Sequence, residues 1–300
     1  MSKIVKRLTI IKKDIVLPSV SSNELTEKEH IMSKTEYDKK GQVLSEISYT
    51  SEGKASHAYT YSYDDDFLVE EKLVENDEII ERKTFEAGEN KTIKKEYRHY
   101  IDNTYDTIEY IYNDTGNLIE KITCDYDGDI EQRERFDYKG EKLIKETVFD
   151  EDDTIISEKT VQYDEDERIA ETESYDPLEE TRFNKVTKYD EKGNPKETLT
   201  YDKKDKLIER IQFEHDDQGR VTKVIEENQN KKNTIKMKYD DNGNLILQEE
   251  YDRNNKLINK VERTFDNDNR VLEARAFMEI AERNIIRNYM LKYDYEYFEQ

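Results

Sequence analysis

Two Asp-rich segments are the residues of this chain that are best suited, by type and spacing, to bind a metal ion. They read Asp125-Tyr126-Asp127-Gly128-Asp129 and Asp240-Asp241-Asn242-Gly243-Asn244. Carboxylate and amide oxygens are the ligands that Ca²⁺ prefers, but neither segment has both the Gly at position six and the Glu at position twelve of an EF-hand loop. An Asp that caps the N–H groups of a turn explains both segments, so the sequence predicts no metal site.

The sequence signals for other metal sites and for catalytic sites are equally weak. His30, His57, His99 and His215 have no metal-ligand spacing with one another or with Cys124. The chain has 72 acidic residues, so carboxylate pairs carry no information about acid–base catalysis. The sequence contains no Gly-rich phosphate loop, serine elbow or kinase motif. It therefore predicts a protein that is not an enzyme and has no cofactor; use of the Tyr rows for catalysis or sugar binding is a minor alternative.

A repeated turn motif accounts for the recurring Asp and Gly. An aromatic residue is followed by Asp, two or three polar residues with Gly or Asn, and an aliphatic pair, as in Tyr112–Ile119 and Tyr239–Ile246. The fourth residue after the aromatic is of a type that tolerates positive φ, which predicts hairpin turns of about four residues. These positions are Gly41, Gly53, Gly116, Gly140, Gly193, Asp205, Gly219, Gly243, Asn255 and Asn269.

The segments between the turns alternate apolar and polar residues, as strands of a half-buried antiparallel sheet do. Leu207, Ile211 and Phe213 share one face with His215, which we interpret as an aromatic substitute at a Tyr position. Aromatic markers recur in steps of 12 and 14 from Tyr163 onward, and even steps predict that all of them lie on one face. The odd step from 136 to 149 predicts a β-bulge or a changed loop, and the pattern is weak between 67 and 110.

On the order of 20 strands follow from this spacing. An open sheet of more than ~10 strands curls or splits, so we predict an all-β fold: a long antiparallel meander of repeated hairpins that curls into a shell, superhelix or closed barrel-like body. A β-propeller is the alternative. Helix is expected only at Glu24–Met32 and Met278–Ile286. The predicted organisation is a non-repeat N-terminal arm (1–36), a repeat domain (37–272) and a C-terminal capping segment (273–300).

Composition restricts the class of partner. The formal net charge is -23 with 40% charged residues, which disfavours nucleic-acid binding by the acidic body and favours a basic protein partner. No apolar run is long enough to span a membrane, and the N-terminal residues contain no signal-peptide pattern, so we expect a cytoplasmic protein without membrane contact. A single cysteine fits a reducing compartment.

The Tyr-Asp-x-x-Gly-x-Leu-Ile register resembles the YD repeats of RHS and teneurin-type proteins. The resemblance runs from about Tyr37 to Leu272, with weak similarity near 67–110. It implies strands that spiral into a large shell, which in that family can enclose a toxic domain. No toxin-like domain follows the repeats, and Asp176-Pro177-Leu178 lacks the Gly of the family's processing motif. Encapsulation and self-cleavage are therefore not expected of this chain.

Two hypotheses about function follow. The first is a non-catalytic acidic scaffold for protein interaction, in specific versions an immunity or adaptor protein for a basic partner. The second is a structural subunit of a larger assembly, such as a phage or secretion particle. Two acidic clusters are the candidate partner-binding residues: Asp64, Asp65 and Asp66, and Glu151, Asp152 and Asp153.

Overall fold

The structure, a computed structural model, describes residues 3–16, 26–280 and 285–299. These residues form 22 strands and one 3₁₀ turn, Glu89–Lys91, with no α-helix in the described ranges. The strands are β1 (Val5–Val16), β2 (Thr26–Tyr37), β3 (Val43–Tyr49), β4 (Ala55–Asp64), β5 (Phe67–Glu75), β6 (Glu78–Ala87), β7 (Ile93–His99), β8 (Tyr105–Tyr112), β9 (Leu118–Cys124), β10 (Ile130–Lys139), β11 (Lys142–Phe149), β12 (Ile155–Tyr163), β13 (Ile169–Asp176), β14 (Thr181–Tyr189), β15 (Pro195–Tyr201), β16 (Leu207–His215), β17 (Val221–Asn228), β18 (Lys232–Tyr239), β19 (Leu245–Tyr251), β20 (Leu257–Phe265), β21 (Val271–Ile280) and β22 (Ile285–Tyr297).

Each strand pairs antiparallel with the next strand of the chain, and β22 also pairs with β1. The closing ladder is long, running from Val5 opposite Tyr297 to Asp14 opposite Tyr289. The sheet therefore closes into a barrel. Neighbouring strands lie about 4.8 Å apart, so 22 strands give a circumference of about 105 Å before strand tilt is included. Within the described residues, extensive contacts between Cα atoms join only neighbouring strands.

The turns with the Asp and Gly markers form as their sequence predicts, with connections of five residues such as 190–194. In the turn after β14, Asp190 Oδ1 accepts from the N–H groups of Lys192 at 2.9 Å and Asn194 at 2.8 Å. The Gly193 N–H donates to the Asp190 carbonyl oxygen at 3.0 Å, with Gly193 at φ +86°. All ten residues predicted at left-handed positions have positive φ, including the non-glycines Asp205, Asn255 and Asn269. The left-handed turn assignment is confirmed.

The prediction that every aromatic marker lies on one face is wrong. Tyr201 pairs with Asn184, whereas Tyr189, five residues further along β14, points to the other face. The reason is a register shift at the five-residue turns other than 100–104, as between Lys188 and Tyr189, where one strand has an extra residue. Markers 26 residues apart, such as Tyr163 and Tyr189, therefore share a face, which we call the Tyr face, while Tyr175 and Tyr201 share the opposite face.

Shorter turns explain the irregular parts of the sequence pattern. The odd step after Phe136 reflects a two-residue turn, 140–141, closed by the pair Lys139–Lys142, so the predicted changed loop is confirmed. The weak region begins at another two-residue turn, 65–66, followed by 76–77, and then includes the 3₁₀ turn. These connections remove or displace the Gly marker, and the chain nevertheless continues as regular strands β5 to β8.

The core is thin. Few of the described side chains are fully covered, and among the buried apolar residues are Ile108, Val161 and Leu199. All the buried residues except Thr147 and Leu199 belong to the Tyr face, which is thus the more buried of the two. Continuous strand pairing and contacts between neighbouring strands thus contribute most of the visible support of the fold.

Several predictions of architecture need correction. The sheet is continuous and closed, so neither an open superhelix nor a propeller with separate blades forms. The described residues of the predicted arm, 1–36, form β1 and most of β2 within the same sheet. The segments expected to be helical are strands wherever they are described, because their backbone groups pair with neighbouring strands; residues 24–25 and 281–284 lie outside the described ranges. The described part of 273–300 completes β21 and forms β22.

Candidate functional site

The two acidic clusters lie at opposite ends of the barrel. In an up-and-down meander, turns alternate between the two ends of the sheet. The end that we call rim 1 carries the turns 50–54, 76–77, 100–104, 125–129, 150–154, 177–180, 202–206, 229–231 and 252–256. Rim 2 carries 38–42, 65–66, 88–92, 113–117, 140–141, 164–168, 190–194, 216–220, 240–244 and 266–270. Asp64 to Asp66 are on rim 2 and Glu151 to Asp153 on rim 1, so they cannot form one surface.

The rim 2 cluster is already paired with cations of neighbouring turns. Lys40 Nζ lies 2.6 Å from Asp65 Oδ1 and 3.0 Å from Asp66 Oδ1. Lys91 Nζ lies 2.9 Å from Asp65 Oδ2. Hydrogen bonds from Lys40 and Lys91 lower the pKa of Asp65 to about 2. A partner that bound Asp65 or Asp66 would have to displace these lysines, while Asp64 ends strand β4.

The rim 1 cluster is more open. Glu151 and Asp152 are exposed, and neither forms an ion pair within the described part of the chain. Asp153 occupies the left-handed position of the turn at φ +58°, and its Oδ1 accepts from Arg133 Nη1 at 2.6 Å. The turn itself is held by Asp150, whose Oδ1 accepts from the N–H groups of Asp152 and Thr154. Two free carboxylates are thus displayed on a rigid turn.

Charges along the strands mostly neutralise one another across neighbouring strands. Lys121 on β9 lies 2.7 Å from Glu134 on β10, and Lys223 on β17 lies 2.6 Å from Glu214 on β16. Side chains directly opposite each other in a sheet are close enough for such pairing. The turns of rim 1 between 76 and 180 contain Asp and Glu but no Lys or Arg. Acidic residues therefore outnumber basic residues in these turns of rim 1.

Sequence analysis missed a set of exposed apolar side chains on rim 1. Ile101 is 90% exposed, Leu178 74% and Tyr126 61%, and each occupies a turn. A large apolar residue at a turn position that is usually polar was the signal available in the sequence. Further exposed apolar residues next to the rim 1 turns are Ile79, Ile80, Tyr100, Tyr105, Ile130, Ile155, Tyr175, Phe183 and Leu207.

The rows of tyrosine are built into the wall. On the Tyr face the Tyr163 hydroxyl donates to the Leu143 carbonyl oxygen at 2.9 Å, and the Tyr189 hydroxyl donates to that of Ile169 at 2.8 Å. The Arg168 guanidinium lies over the Tyr189 ring at 4.4 Å from its centroid. These contacts use the polar atoms of the tyrosines for strand-to-strand bonds and fix their rings by cation–π contact.

The residues that could bind a metal ion or act in catalysis do not form a cluster within the described ranges. His215 ends β16 at a Tyr position, with its ring 6.5 Å from that of Phe213. Cys124 is half-buried. Within the described ranges, no group of three or more His, Cys, Asp or Glu residues is arranged to hold a metal ion. No helix among the described residues is long and apolar enough to cross a membrane.

Comparison with known proteins gives limited likeness. A family model described as "Uncharacterised protein" matches residues 184–299. No curated protein matches the chain. The solved structure of TcdB2-TccC3 without its hypervariable C-terminal region matches at 12% identity and a TM-score of 0.41, over 98% of this chain and 18% of that chain. TcdB2-TccC3-Cdc42 matches at 12% and 0.36, over 93% and 18%.

A porin-like protein from Bacteroides uniformis also matches, at 12% identity and a TM-score of 0.33, over 97% of this chain and 98% of that chain. The chain spans about a fifth of the length of the TcdB2-TccC3 chains. Because identity and TM-score are this low, the description of the fold rests on the strand pairing itself, and the likeness to YD-repeat proteins remains a resemblance of short motifs.

Proposed function

We propose that this chain is a non-catalytic acidic scaffold that binds a basic protein partner through its turns. The observation that carries the proposal is the contrast between strands and turns: strand charges pair across the sheet, whereas Glu151 and Asp152 on rim 1 are exposed carboxylates without an ion-pair partner among the described residues. A surface of one charge attracts and orients an oppositely charged partner. An immunity protein or an adaptor for a basic partner are the specific versions of this function, in the cytoplasm.

The test begins with the full chain as bait at low salt, followed by association kinetics with any basic protein that it captures. The association rate should fall steeply as ionic strength rises, because attraction between exposed charges is screened beyond about 8–10 Å. The double variant Glu151→Gln/Asp152→Asn should slow association more than it speeds dissociation. An association rate that is indifferent to salt, with no basic protein captured, contradicts the proposal.

The second candidate is a structural subunit of a larger assembly. The closed sheet has no free edge, so neighbours in such an assembly would contact its two rims and its outer surface. A structural subunit would form particles of defined size, visible by light scattering of the purified chain at physiological salt. A monomer at every concentration, together with salt-dependent capture of a basic protein, favours the scaffold.

A further inference from the structure

We propose that one arc of rim 1, formed by the turns 76–77, 100–104, 125–129, 150–154 and 177–180 with the residues beside them, is a docking surface for a basic protein segment that carries apolar side chains. We call it the docking arc. The inference rests on the proposed function and names its surface: the Glu151 cluster belongs to the arc, and the Asp64 cluster does not.

Exposed apolar side chains concentrate in the docking arc. Ile79 and Tyr100 are each 50% exposed, and Ile101, Tyr126 and Leu178, which lie in three different turns of the arc, are more exposed. Surfaces that expose several large apolar side chains close together commonly bind proteins, since their burial removes apolar area from water. Rim 2 shows no comparable series among its described turns: its exposed large apolar residues lie in or beside strand ends, as Leu44 and Leu272 do.

Neighbouring turns of the arc form a continuous surface. Ile79 and Ile80 on β6 line a cavity of about 450 Å³ together with Tyr100 and Ile101 of the next turn. Its polar wall includes Glu70, Lys72, Arg82 and His99. Glu70 forms ion pairs with both cations, with Arg82 at 2.8 Å and with Lys72 at 2.5 Å. Further along the arc, the Arg133–Asp153 pair ties β10 to the turn 150–154. An apolar side chain of a partner can enter the cavity while its backbone follows the turns.

The charge of the arc selects a basic occupant. The apolar residues alternate with Asp77, Asp102, Asp127, Glu151 and Glu179, and the five turns contain no Lys or Arg. The cations beside these turns are paired with carboxylates: Arg133 with Asp153 and Glu120, Arg82 with Glu70, and Arg182 with Glu173. Acidic side chains around an apolar patch complement lysines or arginines around apolar side chains of a partner, and the charges set orientation and association rate.

A second copy of the chain fits the arc poorly. The adjacent part of rim 1 is basic, with Lys203, Lys204 and Lys206 in one turn, and Lys231 and Arg253 in the next two. Docking two arcs face to face would place acidic turns against acidic turns. Docking an arc on the basic part would cover Ile101 and Tyr126 with lysines, because exposed large apolar residues are sparse there; Leu207 is 37% exposed. The complementary surface therefore belongs to another protein.

The test uses the full chain and two synthetic peptides of equal positive charge, an amphipathic Lys/Leu peptide and a Lys/Ser peptide. Binding is measured by fluorescence anisotropy at physiological salt. The arc variant is Tyr126→Ser/Ile101→Ser/Leu178→Ser, and its matched control on and beside rim 2 is Ile4→Ser/Leu44→Ser/Leu272→Ser. All six side chains are at least 41% exposed, so both variants should keep the circular dichroism spectrum and melting temperature of the parent.

We expect the Lys/Leu peptide to bind the parent more tightly than the Lys/Ser peptide, and the arc variant to bind Lys/Leu about tenfold or more weakly, since central apolar anchors dominate such contacts. The control variant should bind within about twofold of the parent. Equal losses in both variants, or a loss in the control alone, overturn the docking arc while the acidic scaffold survives. If neither peptide binds at any salt concentration, both the docking arc and the acidic scaffold are overturned. A concentration-dependent dimer that the arc variant abolishes also overturns both.

A charge series completes the test. Asp127→Asn/Glu151→Gln/Asp152→Asn in the arc should lower the association rate about tenfold at low salt, whereas Asp217→Asn/Asp241→Asn/Glu191→Gln on rim 2 removes the same charge and should change it less than threefold. Equal effects of the two variants show that total charge alone recruits the peptide, and overturn the arc.

Discussion

Arg7 on β1 lies 3.0 Å from Glu296 on β22, from Nη1 to Oε1, so an ion pair joins the first and last strands of the barrel. Through Nη2, the same guanidinium donates to Glu36 Oε1 on β2 at 2.7 Å. Hydrogen bonds to Glu36 and Glu296 raise the pKa of Arg7 above its ordinary value. One side chain thus bridges three consecutive strands where the sheet closes.

Replacing Arg7 by Gln should lower the free energy of unfolding by about 0.5–1 kcal/mol, because partly exposed ion pairs contribute this much. The control is Arg182→Gln, which removes the contact of Arg182 with Glu173 between β14 and β13, away from the closure. Urea unfolding should show the larger loss for Arg7, which has two glutamates on two strands. A smaller loss for Arg7 than for Arg182 would show that its contacts do not support the closure.

The left-handed turn residues should resist β-branched substitution. Gly193→Val is expected to cost about 1 kcal/mol or more, since φ is +86° and a β-branched side chain is strained there. At Gly193 a Cβ would also lie 3.3 Å from Arg168 Nη1, whereas at Gly116, at φ +84°, it meets no atom within 4 Å. Comparing Ala at both sites by thermal unfolding separates the contact from the strain; Asn269→Gly should be neutral or slightly stabilising.

Acid should weaken the Asp-capped turns. The backbone N–H of Asn194 hydrogen-bonds the Asp190 carboxylate and lowers its pKa below the ordinary 3.8. A carboxyl whose pKa is lowered on folding stabilises the fold above its unfolded pKa, and this contribution disappears as pH falls below about 3.8 through the folded pKa. The melting temperature should therefore drop on acidification from pH 5 toward pH 2.

Asp190→Asn should flatten this pH dependence at one turn. At another turn of this chain, an Asn already takes the place of the capping Asp. Asn113 Oδ1 accepts from the N–H groups of Thr115 at 3.0 Å and Asn117 at 2.9 Å, and its amide does not titrate. The variant should keep the turn, so its melting temperature near pH 6 should stay close to the parent's and fall less steeply below pH 4. If the melting temperature of the variant falls as steeply as that of the parent, Asp190 does not contribute to the loss of stability in acid.

The hydroxyl of Tyr239 donates to the Val221 carbonyl oxygen at 2.8 Å. Tyr239→Phe keeps the ring and should lower the free energy of unfolding by about 0.5–1.5 kcal/mol, the net value of a typical hydrogen bond. Tyr175→Phe is the control, because this ring is 41% exposed and its hydroxyl makes no hydrogen bond to a neighbouring strand within the described residues. Equal stability of the two variants in guanidinium would show that the Tyr row contributes through its rings alone.

Local structure could be predicted from the sequence because its causes lie within a few residues. The Asp190 cap, the positive φ of Gly193 and the shorter turn at 140–141 each depend on hydrogen bonds or steric limits inside one connection. Alternation along strands is equally local, so the segments between the predicted turns are strands, as β15 to β20 show. The prediction that all the aromatic markers lie on one face was wrong, because an extra residue beside a turn reverses the alternation of faces. Tyr189 and Tyr201 therefore lie on opposite faces.

Closure and the arrangement of the rims were decided only by the tertiary structure. β1 and β22 lie at the two ends of the described chain, and no local pattern shows that they pair; an even number of strands lets them meet antiparallel. Because successive turns alternate between the two ends of the barrel, Asp65 and Glu151 lie at opposite ends. For the same reason the exposed Ile101, Tyr126 and Leu178 lie at the same end. The sequence determined what each turn is, and the count and pairing of all the strands determined which turns are neighbours.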